Sequence, residues 1–208
     1  LWIVTKFSNY ERRDKMFSSG IKEIQLKIYY FFMLADGECT PDELSKFESI
    51  CEAMGVDADV KIETIKFCKD SIHCDRHDNS IQIIQEVTKI LDADMGPLES
   101  FRSINRSKKA QAEVVWNLVN LGYADVEYSE PEKRIVKFLS TYWKMDNAVI
   151  SDINDTAETI LALTKQKKWV KTTNKSYDEI TIHIEEIDKE IVHMANNMEI
   201  LISEADIA

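Results

Sequence analysis

The chain has 208 residues, enough for one sizeable domain with an extension. Five Gly and three Pro leave little room for loops, and the abundance of Leu, Ile, Met, Glu and Lys favours helix. A net charge of −11 argues against nucleic acid as the main partner and suits a cation or a basic protein surface.

Four cysteines, Cys39, Cys51, Cys68 and Cys74, do not look like a disulfide framework in a chain of this length, so reduced thiols and a cytoplasmic setting are expected. The longest apolar run, residues 28–35, is too short to span a bilayer, so no transmembrane segment is expected. The first residue is Leu, which suggests a fragment or a processed chain.

In chain order, residues 1–18 read as a basic amphipathic helix anchored by Trp2, Ile3, Phe7, Tyr10 and Phe17, with Gly20 as its break. Residues 21–34 are apolar over most of a helical circumference, which predicts a buried central helix. A helix from Pro41 to about Met54 follows. Thr40 is its N-cap, Pro41 its first residue, Glu43 its capping-box partner and Gly55 its terminator. The next helix, capped by Asp57 or Asp59, runs to about residue 72. Residues 73–79 are a polar loop. A further helix over 80–91 presents Ile81, Ile84 and Val87. Residues 92–97 are a break.

Helices are then expected over 107–123, 131–143 and 150–164, the last with Ile153, Ala157, Ile160 and Leu163 facing inward. Lys165, Lys167, Lys168, Lys171 and Lys175 mark a basic linker, taken as residues 167–176, with Trp169 available to tack it to the body. From Tyr177 the residues Ile180, Ile184, Ile187, Ile191, Met194, Met198 and Leu201 follow a 3–4 spacing, which predicts a heptad helix over 177–208. Its seam must be buried. A second copy, a protein partner through residues 177–201, or the chain's own body are the three ways to do so.

Between these elements lies a repetition. Asp36, Glu38, Thr40 and Glu43 stand 89 residues before Asp125, Glu127, Ser129 and Glu132. The flanks agree: Leu26 and Tyr29 answer to Val115 and Leu118, and Met54, Val56 and Asp57 to Trp143, Met145 and Asp146. The reading is a duplicated helical unit, with repeats at about 20–91 and 107–165 inside a domain of residues 1–166.

Residues 36–43 fit the second half of an EF-hand loop, but the earlier ligand positions hold Phe32 and Leu34, or Leu121 and Tyr123 in the second copy. Those side chains cannot bind a hard cation, so an EF-hand is rejected. Cys68, His73, Cys74 and His77 invite zinc, but their spacing fits no standard finger and Cys68 lies on an apolar helix face. No catalytic motif is found, and no enzyme activity is expected.

The helix ending in Ala35-Asp36-Gly37-Glu38, the Thr40/Glu43 cap, the closing Met54-Gly55-Val56-Asp57 and their echo from Tyr123 to Asp146 resemble the TerB-like tellurite-resistance family. The resemblance covers about residues 20–165. It implies an all-α bundle of two pseudo-repeats with one metal site in each. On that pattern the ligands are Asp36, Glu38 and Glu43, and Asp125, Glu127 and Glu132. Oxygen ligands suit Ca²⁺ or Mg²⁺. The family is associated with bacterial stress and tellurite resistance, and the function expected here is that of a non-enzymatic module acting through protein interaction. In the second copy Val126 replaces the turn glycine. A different reading makes the acidic loops simple helix caps and the heptad helix a scaffold or homo-oligomer contact.

Overall fold

The computed structural model describes residues 20–72, 77–94, 103–124, 128–174 and 176–205. These residues form eight α-helices and one short 3-10 turn, with no strand among them. The helices are α1 (residues 20–33), α2 (Pro41–Met54), α3 (Ala58–Ser71), α4 (Ser80–Ala93), α5 (Lys108–Gly122), α6 (Glu130–Tyr142), α7 (Asn147–Val170) and α8 (Tyr177–Glu204). None of the described helices is long and apolar enough to cross a membrane. The proposed helix over residues 1–18 lies outside the described residues. Gly20, expected as a break, is helical.

The core is built on α1 and α5. Leu26, Ile28, Tyr29, Phe31, Phe32 and Met33 of α1 are buried, as are Val114, Val115, Leu118 and Leu121 of α5. Each large side chain withdrawn from water contributes about 1.5–3 kcal/mol before entropy is charged against it. The Asn117 side-chain amide donates to the Tyr29 hydroxyl at 3.0 Å, which satisfies a phenol buried between the two helices. Around this pair, α2 packs on α5, α6 on α4 and α5, and α7 and α8 on α5.

Helix starts and stops follow local chemistry. Thr40 caps α2 and Ser129 caps α6, each in a reciprocal capping box with the residue three positions on. Gly55 ends α2 at φ 61°, in the left-handed region that only glycine enters freely. Asp57 precedes α3 but makes no side-chain cap. On α4 the inward face is Ile83, Val87 and Leu91; of the apolar face read as Ile81, Ile84 and Val87, Val87 is buried, Ile84 packs on the core and Ile81 is exposed.

The C-terminal region departs most from the sequence reading. Residues 165–170, assigned to a linker or its approach, continue α7, and Val170 is buried. Lys and Gln are good helix formers, and the helix carries Leu163 and Val170 on one side. A short connection then turns the chain back, and α8 lies antiparallel along α7. Leu163, Val170 and Ile187 form a small second core with Ile180, Ile184, Ile191 and Met194 against it. Farther along α8, Met198 and Ile202 join the main core. The heptad seam is therefore covered by the chain's own α7 and α5. Lys167 pairs with Asp188 across the hairpin. Tyr177 stays exposed at its tip, and Trp169, proposed as a tack, is exposed as well.

Candidate functional site: the paired acidic helix starts

The α2 start is assembled by its own side chains. Glu43 Oε2 accepts from the Thr40 amide at 2.7 Å and from Thr40 Oγ1 at 3.0 Å, and the Glu43 amide donates to Thr40 Oγ1 at 3.2 Å. Just before it, Asp36 Oδ1 accepts from the Glu38 amide at 3.1 Å, and Gly37 takes φ 86° to make the turn. Asp36 is half-buried and Glu38 exposed.

At the α6 start the pattern recurs. Glu132 Oε2 accepts from the Ser129 amide and from Ser129 Oγ, both at 2.8 Å. Asp125 and Glu127, the other two second-copy candidates, lie outside the described residues. Glu43 and Glu132 are both 3 % exposed. A carboxylate this deep is stable as an anion only with donors around it, and the cap supplies two in each case.

The two starts share one corner of the molecule. Burial first, and then the charges of Glu43 and Asp36, push the Glu132 carboxyl up from 4.5 to about 7, against the lowering effect of the Ser129 hydrogen bonds. Cys39 senses the same field: burial, with Glu43 and Asp36 adding to it, raises its thiol to about 11. Tyr128 is raised by burial and then by Glu132. Its ring packs edge-on against Tyr123 and touches Phe32 of α1, which ties the second start to the core.

The donors are hard oxygens, the type that Ca²⁺ and Mg²⁺ take. Among the described residues, however, no three His, Cys, Asp or Glu side chains are arranged to hold a metal ion. Asp36, Glu43 and Glu132 form a region of converging negative charge, not a finished cage. Of the zinc grouping, only Cys68 and His77 fall among the described residues. Cys68 is fully buried, its Sγ lies 3.8 Å from the Lys27 carbonyl oxygen, and burial pushes its thiol to about 12. His77 is exposed, and His73 and Cys74 lie outside the described residues.

Sequence reasoning passed over Arg134. It donates to Asp78 and Ser80, both at 2.7 Å, and so joins α6 to the start of α4. It also passed over Lys144, which sits at φ 52° where α6 ends. The signal for Lys144 was present, because it stands 89 residues after Gly55. Comparison of the chain with protein-family models, with curated proteins and with solved structures returned no match.

Proposed function

We propose that the chain is a non-enzymatic helical module of the TerB-like kind, a duplicated unit that takes a divalent cation where α2 and α6 begin. Ca²⁺ or Mg²⁺ is the cation its oxygens suit. The reading rests on the two capping-box carboxylates, Glu43 and Glu132, each 3 % exposed, with Glu132 pushed up to about 7 chiefly by burial and to a lesser degree by the charges of Glu43 and Asp36. Capping alone explains a carboxylate at each helix start, but not the charge of Glu43 and Asp36 felt at Glu132. A cation there would be held by Asp36, Glu43 and Glu132, with Asp125 and Glu127 as further oxygen donors from the sequence pattern and Glu38 beside Asp36. It would offset the mutual repulsion and order both loops. The ordered loops would then present a surface to a protein partner, in stress or tellurite-resistance processes of the kind the resemblance implies.

The test is calorimetric titration of chelator-treated protein with Ca²⁺ and with Mg²⁺, beside the Asp36→Asn/Glu132→Gln variant. Saturable binding that the variant loses supports the reading. Equal heats for both proteins would end it. Both substitutions keep a side chain able to accept hydrogen bonds, so the caps survive.

A scaffold acting through residues 177–201 is the second reading. It draws on Ile182, Val192 and Ile200, which are exposed on α8 while the heptad seam is spent on α7. Light scattering across a concentration series decides it: a mass that stays monomeric excludes self-association.

A further inference from the structure

A groove of about 630 Å³ runs between α6 and α7, reaching Tyr128 and Lys133 beside the α6 cap, and is within the size range of small-ligand pockets. Its floor is apolar, with Val136, Met145 and Ile150. Three lysines stand over it: Lys133, Lys137 and Lys144. In a chain of net charge −11 such a cluster of one positive sign is unexpected. Lys133 is already engaged, paired with Glu130 at 2.8 Å and lying over the Tyr128 ring. Lys137 and Lys144 form no ion pair among the described residues. Glu158, the acid of the lining, accepts from the Tyr123 hydroxyl at 3.0 Å.

Two further observations concern residues that line the groove. Ser140, which lines it, is 6 % exposed, and its Oγ has no hydrogen-bond partner. A buried hydroxyl is nearly always paired, so this one is an exception beside the groove wall. Lys144 holds a left-handed backbone, φ 52°, closing α6 as Gly55 closes α2 at φ 61°. An L-residue adopts that conformation at a cost, and here the residue that does so places an ammonium at the rim of the groove.

We propose that the α6–α7 groove binds a small anionic amphiphile, its apolar body on Val136, Met145 and Ile150, its carboxylate, sulfonate or phosphate head between Lys137 and Lys144. A free molecule is the occupant, not a bilayer surface, because the lysines rim a cleft between two helices in an otherwise acidic protein.

The experiment uses the full chain and 1-anilinonaphthalene-8-sulfonate as the probe, followed by fluorescence and by amide chemical shifts. The expected result is saturable binding with shift changes centred on Ser140, Met145 and Ile150, displaced by monomeric laurate. Lys137→Gln/Lys144→Gly should weaken it at least fivefold. This variant is expected to fold, since Lys137 is exposed and Gly suits the backbone at position 144. The neutral N-phenyl-1-naphthylamine should bind at least fivefold more weakly than the sulfonate. Vesicles of phosphatidylglycerol should not sediment the protein. Absence of saturation, shifts centred elsewhere, equal affinity in the variant, equal affinity for the neutral probe, or binding to vesicles without displacement by laurate would each overturn the proposal.

Discussion

Glu132 lies within the electrostatic field of Glu43, although 89 residues separate them in the chain. Each is the third residue of its helix and closes the capping box of that helix. Folding thus buries both carboxyl groups, and the charge of Glu43 adds to burial in making Glu132 harder to ionise.

Stability should therefore fall as pH rises through the Glu132 transition. An acid whose folded pKa exceeds its unfolded value binds more protons when folded, so its favourable contribution is complete below about 4.5 and is lost as pH passes about 7. The loss is at most ~3 kcal/mol, and coupling to Glu43 reduces it. Urea titrations of the chelated protein at pH 5 and pH 8, beside Glu132→Gln, isolate the effect. The variant should lose most of the difference. A difference equal in the two proteins would assign it to other groups.

The two left-handed helix ends make a matched pair of substitutions. Lys144→Gly should raise stability by about 0.5–1 kcal/mol, because glycine enters the left-handed region without a Cβ penalty. Gly55→Ala should lower it by about 1 kcal/mol at φ 61° although the space around Gly55 is open. Midpoints in denaturant report both changes. A destabilised Lys144→Gly would mean that the lysine side chain does more for the fold than its backbone costs.

Gly122 has a different constraint. A Cβ there would stand 2.5 Å from Tyr128 Cδ2, so the ring must move for any larger residue to fit. Gly122→Ala should cost about 1–3 kcal/mol and should alter the environment of Tyr128. Unfolding curves measure the first and the tyrosine near-ultraviolet circular dichroism the second. An unchanged dichroism would show that the ring does not rest on this glycine.

On the α7–α8 hairpin, Ile187 is the α8 residue that meets Leu163 and Val170. Ile187→Ala should destabilise by about 2–4 kcal/mol and leave the mass in solution unchanged, because the seam serves the chain itself. A changed mass with little loss of stability would instead identify the seam as a contact between chains.

Much of this architecture was legible from residue types. Thr40, Pro41, Glu43 and Gly55 fixed the bounds of α2, because capping and left-handed closure are local and strong. The burial of α1 followed from its apolar circumference. The end of α7 was misread because a lysine-rich segment satisfies both a solvated loop and a helix with one apolar side, and only Val170 and Leu163 meeting α8 decide between them. The heptad spacing located α8 but not its partner, since a seam is equally apolar toward a copy, a stranger or the same chain. On α4 the face read as Ile81, Ile84 and Val87 is rotated toward Ile83 and Leu91, a register that tertiary packing sets. For the acidic loops, sequence supplied Asp36, Glu43 and Glu132 but not their convergence. The groove beneath Lys137 and Lys144 belongs to the space between two helices and has no linear signature beyond a lysine 89 residues after Gly55.

The measurement that bears most directly on the acidic corner is the Glu132 side-chain carboxyl titration, followed by carbon NMR with chelator and then with saturating Ca²⁺. With chelator, a midpoint near 7 is expected from burial and the neighbouring charges. With Ca²⁺, the midpoint should drop below the ordinary value of 4.5, since a divalent cation favours the ionised form. A midpoint near 4.5 in chelator, or one that Ca²⁺ leaves in place, would contradict the account and reduce the paired acids to two helix caps.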